Sequence, residues 1–145
     1  MEKNENDLEL LDEAYKNVRM ASFAIDCLME KIENDKLAEL LRKQNKIYLD
    51  SVTKIEDLAN SYDYELKDIN PLLKGTSFAS IKMKTLVNND SPKFAEMLVQ
   101  GTTMGITDTI KARSEYPTEN SDVLEIVDEI ISYEEDFVES LKEFL

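Results

Sequence analysis

The 145 residues of this chain suit one domain that can bury a continuous core without disulfides or a structural metal. Apolar residues make up 42% and charged residues 33%, and the formal net charge of −14 argues against binding to nucleic acid or to anionic membrane surfaces. The single cysteine, the polar N-terminus and the lack of any apolar run near 20 residues predict a reduced, cytoplasmic protein without a membrane span.

The first predicted helix runs from Asp7 to about Glu33. Its apolar residues recur at steps of three and four, which is the helical period. They are Leu8, Leu11, Tyr15, Val18, Ile25, Met29 and Ile32. The stripe skips one core position, at Ser22. Cys27 is flanked by Asp26 and Glu30, which do not favour a reactive thiolate, so we interpret it as a packing residue.

Asn34 and Asp35 predict a stop and a restart, because Asn tolerates the left-handed geometry that ends helices and Asp is a strong N-cap. So short a connection directs the second helix, about 36–63, back alongside the first. The apolar members of its stripe are Leu37, Leu41, Ile55, Leu58 and Tyr62. Its middle core positions are instead Gln44, Tyr48 and Ser51.

Residues 64–91 break this regularity at Asn70-Pro71, at Gly75 and at the Asn88-Asn89-Asp90 cluster. Between these breaks, residues 77–87 predict a short helix. A structureless connection of this length would be unusual. We therefore expect a long crossover that carries a short helix.

The third predicted helix, about 92–116, starts at Ser91-Pro92, a hydroxyl cap followed by the residue that suits a first turn. Its packing face is predicted to be Phe94, Leu98, Gly101, Gly105, Asp108 and Ala112. Each glycine inside a helix costs about 1 kcal/mol relative to alanine. We therefore expect a neighbouring helix to approach closely at both glycines.

The last predicted helix, about 121–144, is capped by Asn120 or Ser121. Its stripe is Val123, Val127, Ile130, Phe137, Leu141 and Phe144, with Glu134 at one central position.

The charge is unevenly distributed along the chain. Residues 1–70 carry 10 basic and 17 acidic side chains, residues 71–114 carry 6 and 3, and residues 115–145 carry 1 and 11, which gives net charges of −7, +3 and −10. Antiparallel packing of the last helix on the preceding segment would bring these opposite charges together. Alternatively, the acidic face binds a basic protein or divalent cations.

Counting outward from the two helix turns places the polar core positions at a similar depth, near the middle of an all-α antiparallel four-helix bundle. They are Ser22, Gln44, Tyr48, Thr102 and Glu134. The bundle middle is where helical bundles build metal and cofactor sites.

Two hairpins joined by a long crossover, with a third helix reading FAEMLVQGTTMGITDTIKA and a last helix reading EIVDEIISYEEDFVESLKEFL, resemble the ferritin-like superfamily. The pattern is similar to small bacterial ferritin-like proteins of unassigned function. Di-iron members supply a Glu from each of two helices and a Glu-x-x-His from each of the other two.

The resemblance does not extend to those ligands. The corresponding places are Ser22 in the first helix, Gln44-x-x-Ile47 or Tyr48-x-x-Ser51 in the second, Thr102 in the third and Glu134-x-x-Phe137 in the fourth. The chain has no histidine, so imidazole-dependent triads and zinc sites have no support either.

Two interpretations of Glu134 remain open at this level. In the first, the carboxylate has no ligand and is either satisfied by hydroxyls of Tyr48, Tyr15 or Thr102 or points to solvent; in the second, it forms a weak cation or small-ligand site with Asp108 or Asp26. We expect no cofactor and a non-enzymatic bundle that acts through a protein partner or self-association. The alternatives are a metal-binding or oxidase protein with unusual carboxylate ligands, and a binder of small ligands or peptides.

Overall fold

The computed structural model describes residues 4–75 and 90–145, and these two ranges form helices without any strand. The long helices are α1 (Glu5–Met29), α2 (Asp35–Ser61), α4 (Ser91–Glu115) and α5 (Ser121–Leu141). A short helix, α3 (Asn70–Gly75), follows α2, and a 3-10 turn (Lys142–Phe144) follows α5. The helix predicted at 77–87 lies outside the described residues.

The four long helices pack side by side, and contacts near their ends give their directions. α1 packs against α2, α4 and α5, and α5 also packs against α2 and α4. Asn6 Nδ2 donates to the Pro117 carbonyl at 2.8 Å, so α1 starts where α4 ends. Asn120 Nδ2 donates to the Tyr62 hydroxyl at 2.8 Å, so α2 ends where α5 starts. α2 and α4 therefore run in the same direction, and α4 begins at the end of the bundle opposite to the end of α2.

The first part of that connection follows α1. The Lys67 amide donates to Asp12 Oδ1 at 2.9 Å, and Arg19 Nη2 donates to Asn70 Oδ1 at 3.3 Å. Asp12 and Arg19 are seven residues apart, which is about 10 Å along a helix. Helix α3 begins here, where the sequence predicted a break. The break is present, since residues 62–69 are not helical, but the short helix was not predicted, because proline suits a first helical turn as well as a turn between helices.

Several predicted helix ends require correction. α1 ends at Met29 instead of Glu33, and Asn34 is the N-cap of α2, accepting from the Leu37 amide at 3.0 Å with a φ of −75°. Asp90, not Ser91, caps α4, and the left-handed residue of the described chain is Asp63, with a φ of 53°. Asn120 caps α5, one of the two predicted residues.

The apolar stripes form one core between the long helices, with small shifts from the predicted set. Leu10 and Leu28 are fully buried although neither was predicted, whereas Met29 and Leu58 only pack against the edge of the core. The predicted stripe of α5 from Val123 to Leu141 is buried throughout, with Phe144 at the core edge.

The α4–α5 hairpin brings the acidic last helix beside the preceding segment, and Arg113 of α4 forms an ion pair with Asp128 of α5. A second ion pair joins Lys54 of α2 to Glu129 of α5 at 2.7 Å. None of the helices in the described ranges is long and apolar enough to cross a membrane.

Candidate functional site: a buried carboxylate at the bundle centre

Glu134 lies in the middle of α5 and is completely inaccessible to solvent. Asn17 of α1 donates from Nδ2 to Glu134 Oε1 at 2.6 Å. The Tyr48 hydroxyl of α2 donates to Glu134 Oε2 at 3.0 Å. Each carboxyl oxygen thus has one neutral donor, and each donor comes from a different helix.

The backbone of α4 closes the fourth side of this centre at Gly105. A Cβ placed on Gly105 would lie 2.3 Å from Asn17 Oδ1 and 3.4 Å from Glu134 Oε2. Only glycine leaves room here for the amide that binds the carboxylate. The close approach predicted at Gly105 is therefore present, but the neighbour that fills the space is a polar side chain of α1.

Thr109, one turn further along α4, orients Asn17. Its hydroxyl donates to the Gly105 carbonyl at 2.8 Å and accepts from Asn17 Nδ2 at 3.1 Å. Thr109 is 1% exposed and Asn17 is half-buried, so the link between α1 and α4 is largely shielded from water. Side chains or backbone of all four long helices thus meet around Glu134.

Tyr48 has its own neighbours on the side away from Asn17. Burial raises the pKa of the Tyr48 phenol well above its ordinary value, the Glu134 carboxylate raises it further, and hydrogen bonding by Gln44 and Thr102 opposes the rise. Gln44 is 4% exposed, and its Nε2 has no acceptor in good hydrogen-bond geometry among the described residues. Tyr48 therefore stays protonated near neutral pH and serves Glu134 as a neutral donor.

Burial dominates the electrostatics of Glu134. Removal from water raises its pKa from 4.5 to about 7, while the hydrogen bonds from Asn17 and Tyr48 act in the opposite direction. A buried carboxylate without a cation beside it favours its neutral form. The centre therefore gains or loses a proton close to neutral pH.

The structure puts the five polar centre residues of the sequence analysis inside the bundle but does not join all of them. Gln44, Tyr48, Thr102 and Glu134 are buried around one point. Ser22 is buried elsewhere on α1, where its hydroxyl donates to Asn45 Oδ1 at 2.6 Å.

The predicted partners of Glu134 need correction. Asp108 is exposed on α4, and Asp26 is exposed and accepts from Asn45 Nδ2 at 3.0 Å, so neither faces Glu134. Of the three predicted hydroxyl donors, Tyr48 makes the bond. Tyr15 instead accepts from Arg19 Nη1 at 2.6 Å, and Thr102 acts on the Tyr48 phenol.

The di-metal centre that the ferritin-like resemblance implies does not fit these residues. Two transition ions require several carboxylates together with imidazoles. Within residues 4–75 and 90–145 no three acidic or cysteine side chains converge, and Glu134 already accepts two hydrogen bonds. The unpartnered group nearby, Gln44 Nε2, is a donor and repels a cation instead of binding it.

A second buried polar cluster, which the sequence analysis missed, closes one end of the bundle. Asp7 is fully buried and accepts from the Asn4 amide at 2.9 Å, from Asn120 Nδ2 at 3.1 Å and from the Thr118 hydroxyl. Asn120 Oδ1 in turn caps α5 through the amides of residues 122 and 123. The signal was the Asn4-x-x-Asp7 capping box at the start of α1, whose Asp7 carboxylate also binds the loop before α5.

Two shallow clefts lie on the outside of the described bundle. One, of about 280 Å³, lies between α4 and α5. We call it the α4–α5 groove; it is lined by Thr103, Ile106, Glu135, Asp136, Val138 and Glu139. The other, of about 340 Å³, lies between α2 and α5 around the Lys54–Glu129 ion pair.

Comparisons of the chain with protein-family models, with curated proteins and with solved structures found no match. The ferritin-like resemblance therefore depends on the pattern and topology of this chain alone.

Proposed function

We propose that this chain is a ferritin-like bundle without di-metal chemistry that acts by binding another protein through the α4–α5 groove. The ferritin-like part is supported by the helix directions: two antiparallel hairpins joined by one long connection are the arrangement of that class. The non-enzymatic part is supported by the donor set of the centre, which holds one carboxylate among neutral donors.

The binding role is supported mainly by the α4–α5 groove, whose lining is both apolar and acidic. Ile106 and Val138 provide an apolar floor, and Ile110, one turn along the same face of α4, is 47% exposed. Glu135 and Asp136 line the groove without any ion pair among the described residues. Such a surface suits a partner helix that presents aliphatic side chains flanked by Lys or Arg.

The charge of the surrounding surface favours the same kind of partner. Residues 121–145 carry nine acidic side chains and one basic one, and all of the acidic side chains except the buried Glu134 reach the surface. A second copy of this chain would bring the same excess of negative charge to the interface, whereas a cationic segment would be attracted and oriented. We therefore infer a basic partner in preference to self-association.

The test uses a fluorescein-labelled synthetic peptide of leucine and lysine in an amphipathic helical pattern. Fluorescence anisotropy at physiological salt measures its affinity for the chain, and a peptide of the same composition without the helical pattern is the control. We expect Glu135→Lys with Asp136→Lys to weaken binding at least tenfold, and Ile110→Ser to weaken it about threefold or more. The matched control carries the same charge change on α2, as Glu56→Lys with Asp57→Lys.

Equal loss of affinity in the groove variant and the α2 variant would mean that the peptide responds only to total charge, which contradicts the proposal. Light scattering over a range of concentrations checks the rival. A dimer that the groove substitutions dissociate would identify the occupant as a second copy of this chain and overturn the inference of a basic partner.

A further inference from the structure

Polar contacts join all four long helices around the Glu134 carboxyl. Its two oxygens accept from Asn17 of α1 and Tyr48 of α2, and Asn17 also donates to Thr109 of α4. A change in the charge of this carboxyl therefore alters contacts that involve every long helix. Displacement of α5, which carries Glu134, would bring the carboxyl to water.

No positive charge compensates the carboxylate from any helix packed against it, within the described residues. α1 presents the neutral amide of Asn17, α2 the Tyr48 phenol, and α4 the Gly105 backbone with Thr109 behind it. The charged residues next in sequence are exposed; they are Lys16 on α1, Asp108 on α4 and Glu135 on α5. An uncompensated ionised carboxylate in a dry core is strongly unfavourable, whereas a neutral acid can make both hydrogen bonds.

We propose that the bundle is a proton-dependent lock: a proton on Glu134 stabilises the packing of α5 against the other helices, and loss of that proton at higher pH lets α5 open. The neutral acid accepts from Asn17 through one oxygen and donates to the Tyr48 hydroxyl through the other. Opening of α5 stabilises the ionised carboxylate because it exposes the carboxylate to water. This inference is independent of the partner proposed above.

The direction of the pH dependence follows from the raised pKa. Because the folded chain holds this proton more tightly than the unfolded chain does, folding is favoured at acidic pH, and the advantage is lost as the pH rises from about 4.5 to about 7. Between pH 6 and 8 the folding equilibrium constant changes about tenfold through this one group. The closed form of α5 is therefore expected to weaken about tenfold over that interval.

Two measurements test the lock. Carbon NMR of the full chain with isotopically labelled glutamate follows the Glu134 carboxyl directly through the pH range, with Glu134→Gln identifying its signal. Hydrogen exchange of α5 amides, corrected for the intrinsic pH dependence of exchange, measures opening at pH 6 and pH 8. We expect a protonation midpoint near 7 and about tenfold loss of α5 protection in the unmodified chain, with no such loss in Glu134→Gln. Glu125→Gln, which removes an exposed carboxylate of the same helix outside the groove, should behave like the unmodified chain.

Each contrary result has a defined meaning. A Glu134 midpoint below 5 would overturn the proposal, because the core would then tolerate the charge. A midpoint near 7 combined with equal protection of α5 at both pH values would overturn the coupling to α5. If Glu134→Gln fails to fold, sequential assignment of the unmodified chain identifies the Glu134 signal, so the titration still tests the proposal.

Discussion

Gly105→Ala, compared with Gly101→Ala in the same helix, tests whether the bundle centre depends on the space that glycine leaves. At Gly101, which is exposed, a new Cβ would meet nothing within 4 Å. Alanine there should stabilise the chain by about 1 kcal/mol through helix propensity alone. At Gly105 the new Cβ would lie 2.3 Å from Asn17 Oδ1, so the Asn17 side chain must leave its position.

The size of the Gly105 effect follows from the hydrogen bonds that Asn17 would lose. Its bond to the Glu134 carboxyl is worth about 1.5–3 kcal/mol when that group is charged, and its bond to Thr109 about 0.5–1.5 kcal/mol. After the gain of about 1 kcal/mol in propensity, Gly105→Ala should destabilise the chain by roughly 1–3 kcal/mol. The two alanine variants should therefore differ by about 2–4 kcal/mol.

Urea unfolding followed by far-ultraviolet circular dichroism measures the free energy of unfolding of both variants. The comparison requires that the slope of this free energy against urea concentration is the same in the variants and in the unmodified chain. Repeating Gly105→Ala in an Asn17→Ala background removes the obstructing amide, and there it should become stabilising by about 1 kcal/mol. If Gly105→Ala in the natural background stabilises as much as Gly101→Ala, the close contact with Asn17 does not exist as described.

Two further substitutions probe the buried carboxylates near the end of the bundle. Asn120→Ala should destabilise by about 2–3 kcal/mol in urea unfolding, because it removes the α5 cap and a donor to Asp7, whereas an effect below 0.5 kcal/mol would refute the cluster. Tyr64→Phe should destabilise by about 1 kcal/mol through the lost hydrogen bond to Asp12. Burial and that bond raise the pKa of Tyr64 to about 12, so Tyr64→Phe should lose one of the late-ionising phenols in an alkaline absorbance titration, while the buried Tyr48 remains.

The helical period predicts the long helices and much of their core because a buried stripe must repeat at that spacing. It also identifies Glu134 as an inward-facing position of α5. The same argument fails for Asn17, which lies beside the predicted stripe of α1 and reaches the centre only because Gly105 of α4 has no side chain. Contacts of this kind depend on the rotation of two helices, which the sequence of either helix does not specify.

The errors at helix ends have a different physical origin. Asn, Asp, Ser and Pro are favoured both inside turns and at the first helical positions, so composition alone does not separate the two. Asn34 was predicted to end α1 and is instead the N-cap of α2. Pro71 was predicted only to interrupt the helical pattern, and it also lies in the first turn of α3. Asp7 was predicted to start a helix, but the acidity of the chain concealed that its carboxylate is fully buried.

The most direct test of the central claim, that the bundle centre is a hydrogen-bonded carboxylate and not a metal centre, is metal stoichiometry. The chain is purified without chelators, equilibrated separately with Fe(II), Mn(II) and Zn(II), separated from free metal and measured by elemental analysis beside Glu134→Ala. We predict well below one bound ion per chain for each metal, with no difference between the two proteins. Two bound transition ions per chain that disappear in a folded Glu134→Ala variant would contradict the account.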